Sequence, residues 1–263
     1  MTVSVASWGL EHRFFLPNED ARPVAGAMAL LPRPPRSPVF VGGSGLLLLE
    51  ALARTGGEAR GTFVDVAPFQ VGYFREVAGA VQAARTIGDL RWWFAEEAYP
   101  RLRAHYRQRG VDYPLDAALQ AMRELFGLSL FFEEGALARA RQVARTTAIR
   151  CEEMGHYLSR TEVRHDFIYL SNVADYLEGQ ALDQLLGACR RHDAPAYALV
   201  TSACPDPDRL LVAAGAAGLA RDPRSSLLDG QNHGLGSRTL DRSWNRPGTI
   251  HLFVPRSPAG VGS

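Results

Sequence analysis

The sequence predicts an open, doubly wound α/β sheet, and three observations predict it. Short β-branched and aromatic runs alternate with leucine- and alanine-rich helical stretches along most of the chain. The first such run, Val39-Phe40-Val41, ends in Gly42-Gly43-Ser44-Gly45 and passes directly into Leu46 to Leu49, the pattern of strand, tight turn and helix. The second, Gly61-Thr62-Phe63-Val64-Asp65, closes on a carboxylate about twenty residues after the turn, the usual spacing for such an acid. In sheets of this class ligands lie beyond the carboxyl ends of the strands. Glycines after the first strand admit a nucleotide to the backbone, and an acid ending the second binds ribose hydroxyls. A nucleoside-cofactor site is the resulting expectation.

Composition narrows the classes. At 263 residues, 46% apolar, the chain suits one α/β domain with a substantial core and an elaborate insertion. A net charge of +1 with no run of like charge disfavours phosphate-driven nucleic-acid binding and attachment to an anionic membrane. All 29 basic residues are arginine. Without lysine there is no Schiff base, lysine nucleophile or lysine-type phosphate loop. Cys151, Cys189 and Cys204 are far apart, so clustered thiolates for zinc or iron–sulfur are not expected, nor is any other metal. Reduced thiols, a start without signal-peptide features and the lack of a long apolar span point to the cytoplasm, with no stable membrane insertion.

Taken in order, residues 1–37 form an N-terminal segment and linker. Asn18-Glu19-Asp20 is a candidate cap for a short helix to about Leu31, and the proline-rich stretch from Pro32 to Pro38 is stiff and irregular. Such a segment reads as an active-site cover or as packing on the sheet edge. The nucleoside-binding domain spans 38–254. Its first strand is Pro38 to Val41, its first helix about Ser44 to Thr55, and its second strand Gly61 to Val66. A helix started by Pro68 then runs to about Thr86. At about 89–147 the pattern is helical where a third strand would be due. Leu90, Trp93, Phe94, Leu102 and Tyr106 line the first piece, which Pro100 interrupts, and stretches at 115–132 and 133–145 follow. This helical insertion after the second strand reads equally as extra packing or as a substrate-specificity cap. The sheet resumes at Thr147 to Cys151, then Asp166 to Leu170, then Ala196 to Thr201, with helices at 179–191 and 209–220. A loop covers 221–238, Thr249 to Val254 is a last strand, and 255–263 is a flexible tail.

Four strand ends carry matching polarity. Gly42, Gly43, Ser44 and Gly45 form the backbone turn, Asp65 is placed for ribose with Val66 beside it, and Glu152 or Glu153 follows the third strand toward an adenine edge. Ser171-Asn172 ends the fourth strand at the reactive end. Leu47 and Leu48 stand where a dinucleotide fingerprint has its third glycine, which favours a nucleoside such as S-adenosylmethionine over a ligand with a pyrophosphate. Asp175 and Tyr176, just past the fourth strand, are candidate bases, with helix capping or surface hydrogen bonding as the plainer role. Arg75 or Arg242 is a candidate partner for the methionine carboxylate. His12, His156, His165, His233 and His251 show no metal-ligand spacing and read as structural or surface groups.

These residues carry a resemblance. Gly42-Gly43-Ser44-Gly45, the run Asp65-Val66-Ala67-Pro68-Phe69-Gln70, and Leu170-Ser171-Asn172-Val173-Ala174-Asp175-Tyr176 are similar to signatures of S-adenosylmethionine-dependent aminocarboxypropyltransferases. The resemblance extends to enzymes that make betaine-lipid precursors from diacylglycerol and to isonocardicin synthase, and Asp241-Arg242-Ser243 resembles a late motif of the family. It implies a Rossmann-like class I methyltransferase-type sheet with S-adenosylmethionine as co-substrate. The implied cofactor residues are Gly42, Gly43, Ser44, Gly45, Asp65, Val66, Gln70, Glu152, Ser171 and Asn172, with Arg75, Asp241 and Arg242 toward the substrate.

The implied reaction moves the 3-amino-3-carboxypropyl group onto a hydroxyl, phenol or amine and releases methylthioadenosine. The alternative is an ordinary small-molecule methyltransferase, which shares nearly every binding residue. A non-catalytic ligand sensor on the same fold is a third reading. The chain lacks the polybasic face or amphipathic anchor that a lipid acceptor calls for, so a small soluble acceptor is expected. Nothing in the sequence indicates an oligomeric state.

Overall fold

The computed structural model describes residues 21–42, 45–56, 59–108, 134–171, 173, 177, 179–192, 198–202, 207–228 and 249–256. Among the described residues seven strands form one sheet: β1 Pro38–Val41, β2 Thr62–Asp65, β3 Ala148–Cys151, β4 Phe167–Ser171, β5 Ala198–Ser202, β6 Leu219–Arg221 and β7 Thr249–Pro255. Their spatial order is β3-β2-β1-β4-β5-β7-β6. The first five are mutually parallel, and β7 runs antiparallel between β5 and β6. This is the class I methyltransferase-type order, and it has its topological switch point between β1 and β4.

Helices cover both faces because successive strand residues point to opposite sides. Phe40, Phe63, Phe167 and Tyr169 belong to the core shared with α1 (Ala21–Ala29), α2 (Leu46–Arg54), α3 (Pro68–Ala83) and α6 (Glu134–Thr146). Val39, Val64, Ile168 and Leu170 pack instead on α7 (Met154–Arg160), α8 (Gln180–Arg190) and α9 (Pro207–Ala216). The short helix α1 is part of the main core: Val24, Ala27 and Met28 are buried, and Arg224 donates to the Leu30 carbonyl at 2.6 Å just past its end.

The insertion between β2 and β3 is helical, as expected. It holds α4 (Ile87–Trp92), a π-helical turn Trp93–Ala98, α5 (Tyr99–Gln108) and α6, while residues 109–133 fall outside the described set. Pro100 does not interrupt the helix. It sits in the first turn of α5, where a missing N–H costs least, and the looser π turn before it adjusts the register, with the Tyr99 N–H reaching the Phe94 carbonyl.

Two elements differ from the sequence expectation at the C-terminal side. The helix expected to run to 220 stops at Ala216, because Gly218 takes a left-handed φ of +74° and turns the chain into β6. The last strand reaches Pro255, one residue into the expected tail, and the Arg256 N–H is fixed to the Gly218 carbonyl at 2.9 Å. Helix α7 was not anticipated. Glu153 initiates it by accepting from the N–H groups of Gly155 and His156.

The amino end of the sheet is closed by polar groups. Asp166 accepts from the Arg36 and Ser37 N–H groups at 2.7 and 2.9 Å, tying the linker to the start of β4. Beneath it His165 and His192 are buried, and their contacts define their tautomers. His165 Nδ1–H donates to the Ser37 carbonyl at 2.8 Å, so Nε2 accepts from the Tyr157 hydroxyl at 3.1 Å. His192 Nδ1 accepts the His165 N–H at 3.3 Å, so Nε2 donates to the Leu158 carbonyl at 3.1 Å. Burial pushes His165 down to about 4.

Candidate functional site

At the opposite end the strands open to solvent. Residues within β1, β2 and β4 are buried, whereas Gly42, Asp65, Glu152 and Ser171 at their carboxyl ends are partly exposed, and Val66 is 40% exposed. The order β3-β2-β1-β4 sets these residues side by side in the sequence Glu152, Asp65, Gly42, Ser171 across the crevice.

The backbone ties them together. The Gly42 N–H donates to the Val64 carbonyl at 2.8 Å, and the Glu152 N–H donates to the Asp65 carbonyl at 3.0 Å. Gly42 has φ +54°, and a Cβ there would lie 3.0 Å from Asp65 Oδ2. A side chain would therefore crowd the carboxylate, so glycine keeps this face of the acid clear. Asp65 Oδ1 accepts from the Ala67 N–H at 2.8 Å. Desolvation by the surrounding protein raises this carboxyl to about 6, against the opposing pull of the Ala67 and Val66 N–H groups. The group is thus costly to ionise until something supplies further donors.

Gly45 caps α2 in a left-handed conformation, φ +73°. A Cβ there would meet Phe74 Cδ2 at 1.9 Å, and Phe74 in turn packs on Phe63 with ring centroids 4.3 Å apart. This glycine lets α3 press against the turn. It serves the close packing that a third fingerprint glycine serves in dinucleotide folds. On β4, Ser171 has φ +50°, the one non-glycine positive φ among the described residues. Tyr169 pairs with Leu199 and Ser171 with Val200, so Leu170 is an extra residue and the strand bulges just before its end.

Other candidates are placed differently. Glu153 is spent on capping α7, which leaves Glu152 as the acid facing out from β3. Gln70 is buried in the first turn of α3. Arg75 is exposed five residues, about 7.5 Å, further along that helix. Gly43, Ser44, Asn172, Asp175, Tyr176, Asp241 and Arg242 lie outside the described residues. Among the described residues no group of His, Cys, Asp and Glu is arranged to hold a metal ion, and no helix is long and apolar enough to cross a membrane.

Sequence reasoning did not single out Phe74, whose ring makes Gly45 obligatory, or Tyr169, a core position by its alternation whose hydroxyl is buried without a hydrogen-bond partner. The first depends on a contact between residues 29 positions apart. The second has no signal in a strand pattern that treats tyrosine as one more apolar ring.

No protein-family model matches the chain. No curated protein matches it either. Three solved structures align with it at low identity. The 4+2 cyclase SpnF is 13% identical over 90% of this chain and 81% of that one, with a TM-score of 0.46. Cofactor-bound Rv0187 from MTB is 13% identical over 90% and 79%, at 0.41. The glycopeptide N-methyltransferase MtfA, complexed with sinefungin, is 11% identical over 96% and 95%, at 0.49. The class of the fold rests on the strand order itself, an α/β sheet of the class I methyltransferase type.

Proposed function

We propose that this chain transfers a group from S-adenosylmethionine to a small acceptor, and that the group is the 3-amino-3-carboxypropyl moiety. The observation that carries the cofactor half is Asp65: a carboxylate at the end of β2, raised by desolvation, with Oδ2 facing the left-handed Gly42. Two vicinal hydroxyls of a ribose would supply the donors it lacks. Glu152 and the exposed Val66 lie on the β3 side, where an adenine edge and face need an acceptor and an apolar platform. A crevice with a glycine turn but no longer phosphate loop suits a nucleoside without pyrophosphate.

S-adenosylmethionine supplies a positive sulfur that makes its three attached carbons electrophilic. The protein's task is to hold one of them in line with a nucleophile and to take its proton when that nucleophile is a hydroxyl. Attack at the γ-carbon breaks its bond to sulfur and releases methylthioadenosine. Attack at the methyl carbon releases S-adenosylhomocysteine. The motif Leu170-Ser171-Asn172 with its downstream Asp175 and Tyr176 supports the first. Methyl transfer stands as the second reading, because Gly42, Asp65, Val66 and Glu152 serve the adenosyl part that both reactions share.

Incubation of the purified protein with S-adenosylmethionine and a panel of small hydroxyl, phenol and amine acceptors separates the readings. Acceptor-dependent methylthioadenosine is the expected product. S-adenosylhomocysteine would replace the proposal with methyl transfer, and binding without turnover against every acceptor would replace it with a ligand-sensing role.

A further inference from the structure

We infer that the Tyr169 hydroxyl is a binding group for the amino-acid end of the bound nucleoside, a hydrogen-bond donor to its carboxylate. The inference rests on the proposed S-adenosylmethionine site and adds a residue to it.

Tyr169 is 2% exposed, and its hydroxyl has no hydrogen-bond partner. A buried donor left unpaired is costly, and native folds rarely keep one without a use. Aromatic packing explains the ring. Phe40 lies 5.3 Å away on β1, directly opposite in the strand register, and Phe167 follows at 6.0 Å from Phe40. Phenylalanine would satisfy those contacts equally well. The hydroxyl is what remains to be accounted for.

Its position supplies the account. Strand order maps onto the parts of an adenosyl ligand. With the ribose at Asp65 on β2 and the adenine toward Glu152 on β3, the rest of the molecule must cross the glycine turn of β1 and arrive over β4. From β2 to β4 is two strand spacings, about 10 Å, which matches the span from a ribose to the far end of an attached amino acid. Tyr169 is on β4, two residues or about 7 Å before the left-handed Ser171 at the strand end. It stands on the face where α2 starts from Gly45. Side chains on strands lean along the strand direction, which brings a long ring within reach of the crevice floor. The bulge at Leu170 shifts the register against β5 by one residue just after Tyr169.

Calorimetric titration of wild type and Tyr169→Phe, each with S-adenosylmethionine and with methylthioadenosine, tests the assignment. Methylthioadenosine keeps the adenosine and lacks the amino-acid end. Tyr169→Phe is expected to weaken S-adenosylmethionine at least about tenfold, the loss of a hydrogen bond to a charged group, while methylthioadenosine binds as before. The ligand-free variant is expected to melt at the same temperature as wild type or higher. Equal loss for both ligands, no loss for either, or a lower melting temperature with unchanged affinity would each overturn it. If wild type binds neither nucleoside, the proposed function fails and this assignment goes with it; if only the variant's behaviour disappoints, the assignment alone fails.

Discussion

The two ends of the parallel strands are built to opposite specifications. At the amino end every polar group described is matched: Asp166 by two backbone N–H groups, and His165, His192 and Tyr157 by one another and by the Ser37 and Leu158 carbonyls. At the carboxyl end the chain holds a carboxyl raised to about 6, a buried unpaired hydroxyl and left-handed backbone at Gly42, Gly45 and Ser171. Under the proposed function, the contrast separates the end closed for stability from the end whose unmet potential a ligand would meet.

The largest expected effect is at Gly45, where both packing and conformation forbid a side chain. Gly45→Ala places a Cβ 1.9 Å from Phe74 at a φ of +73°. A loss of about 2–5 kcal/mol is expected in denaturant unfolding, from the left-handed penalty together with overpacking. A wild-type-like midpoint would show that the turn and α3 are not in contact.

Acid separates the two ends by sign. His165 has a folded value near 4 against 6.5 unfolded, so the unfolded chain binds more protons between those values. Stability present above pH 6.5 is lost as pH falls toward 4, by about 3 kcal/mol, and His165→Gln should flatten that part of the profile. Asp65 runs the other way. Its folded value near 6 lies above 3.8, so its contribution is complete below pH 3.8 and is lost as pH rises through 6. Asp65→Asn is therefore expected to stabilise the ligand-free protein at pH 7 by about 1–3 kcal/mol while weakening the nucleoside by a similar amount. A variant that is neither more stable nor weaker in binding would remove the carboxylate from the account.

The smallest effect is at Ser171. Glycine there should relieve the left-handed strain and stabilise by about 1 kcal/mol, less the entropy that glycine adds to the unfolded chain. A clear destabilisation would mean the serine side chain has a structural partner that outweighs the strain.

Much of this plan was legible in the residues. Gly42 and Gly45 of the turn, the acid at Asp65 and the described helices of the insertion read directly, because glycine punctuation and apolar periodicity are local signals. Local signals also mark their limits. Gly218 ends α9 early and starts β6, but a three-residue strand is too short to show alternation. Pro100 reads as a break, and only the π turn preceding it reveals how the helix continues. Glu152 and Glu153 were indistinguishable until the start of α7 claimed one of them. Arg75 was a candidate by charge alone, and its place on the outer side of α3 depends on which face of the helix is buried.

The most direct test is calorimetric titration of S-adenosylmethionine from pH 5 to 8 on wild type and Asp65→Asn. The ionised carboxylate is the form that accepts ribose hydroxyls. Wild-type affinity is therefore expected to be level above pH 6 and to fall toward tenfold per pH unit below it, following the Asp65 value near 6. Asp65→Asn is expected to bind weakly and without that pH dependence. Tight binding by Asp65→Asn with the same fall in acid, or no binding by wild type at any pH, would contradict an adenosyl site at the junction of β1, β2 and β4.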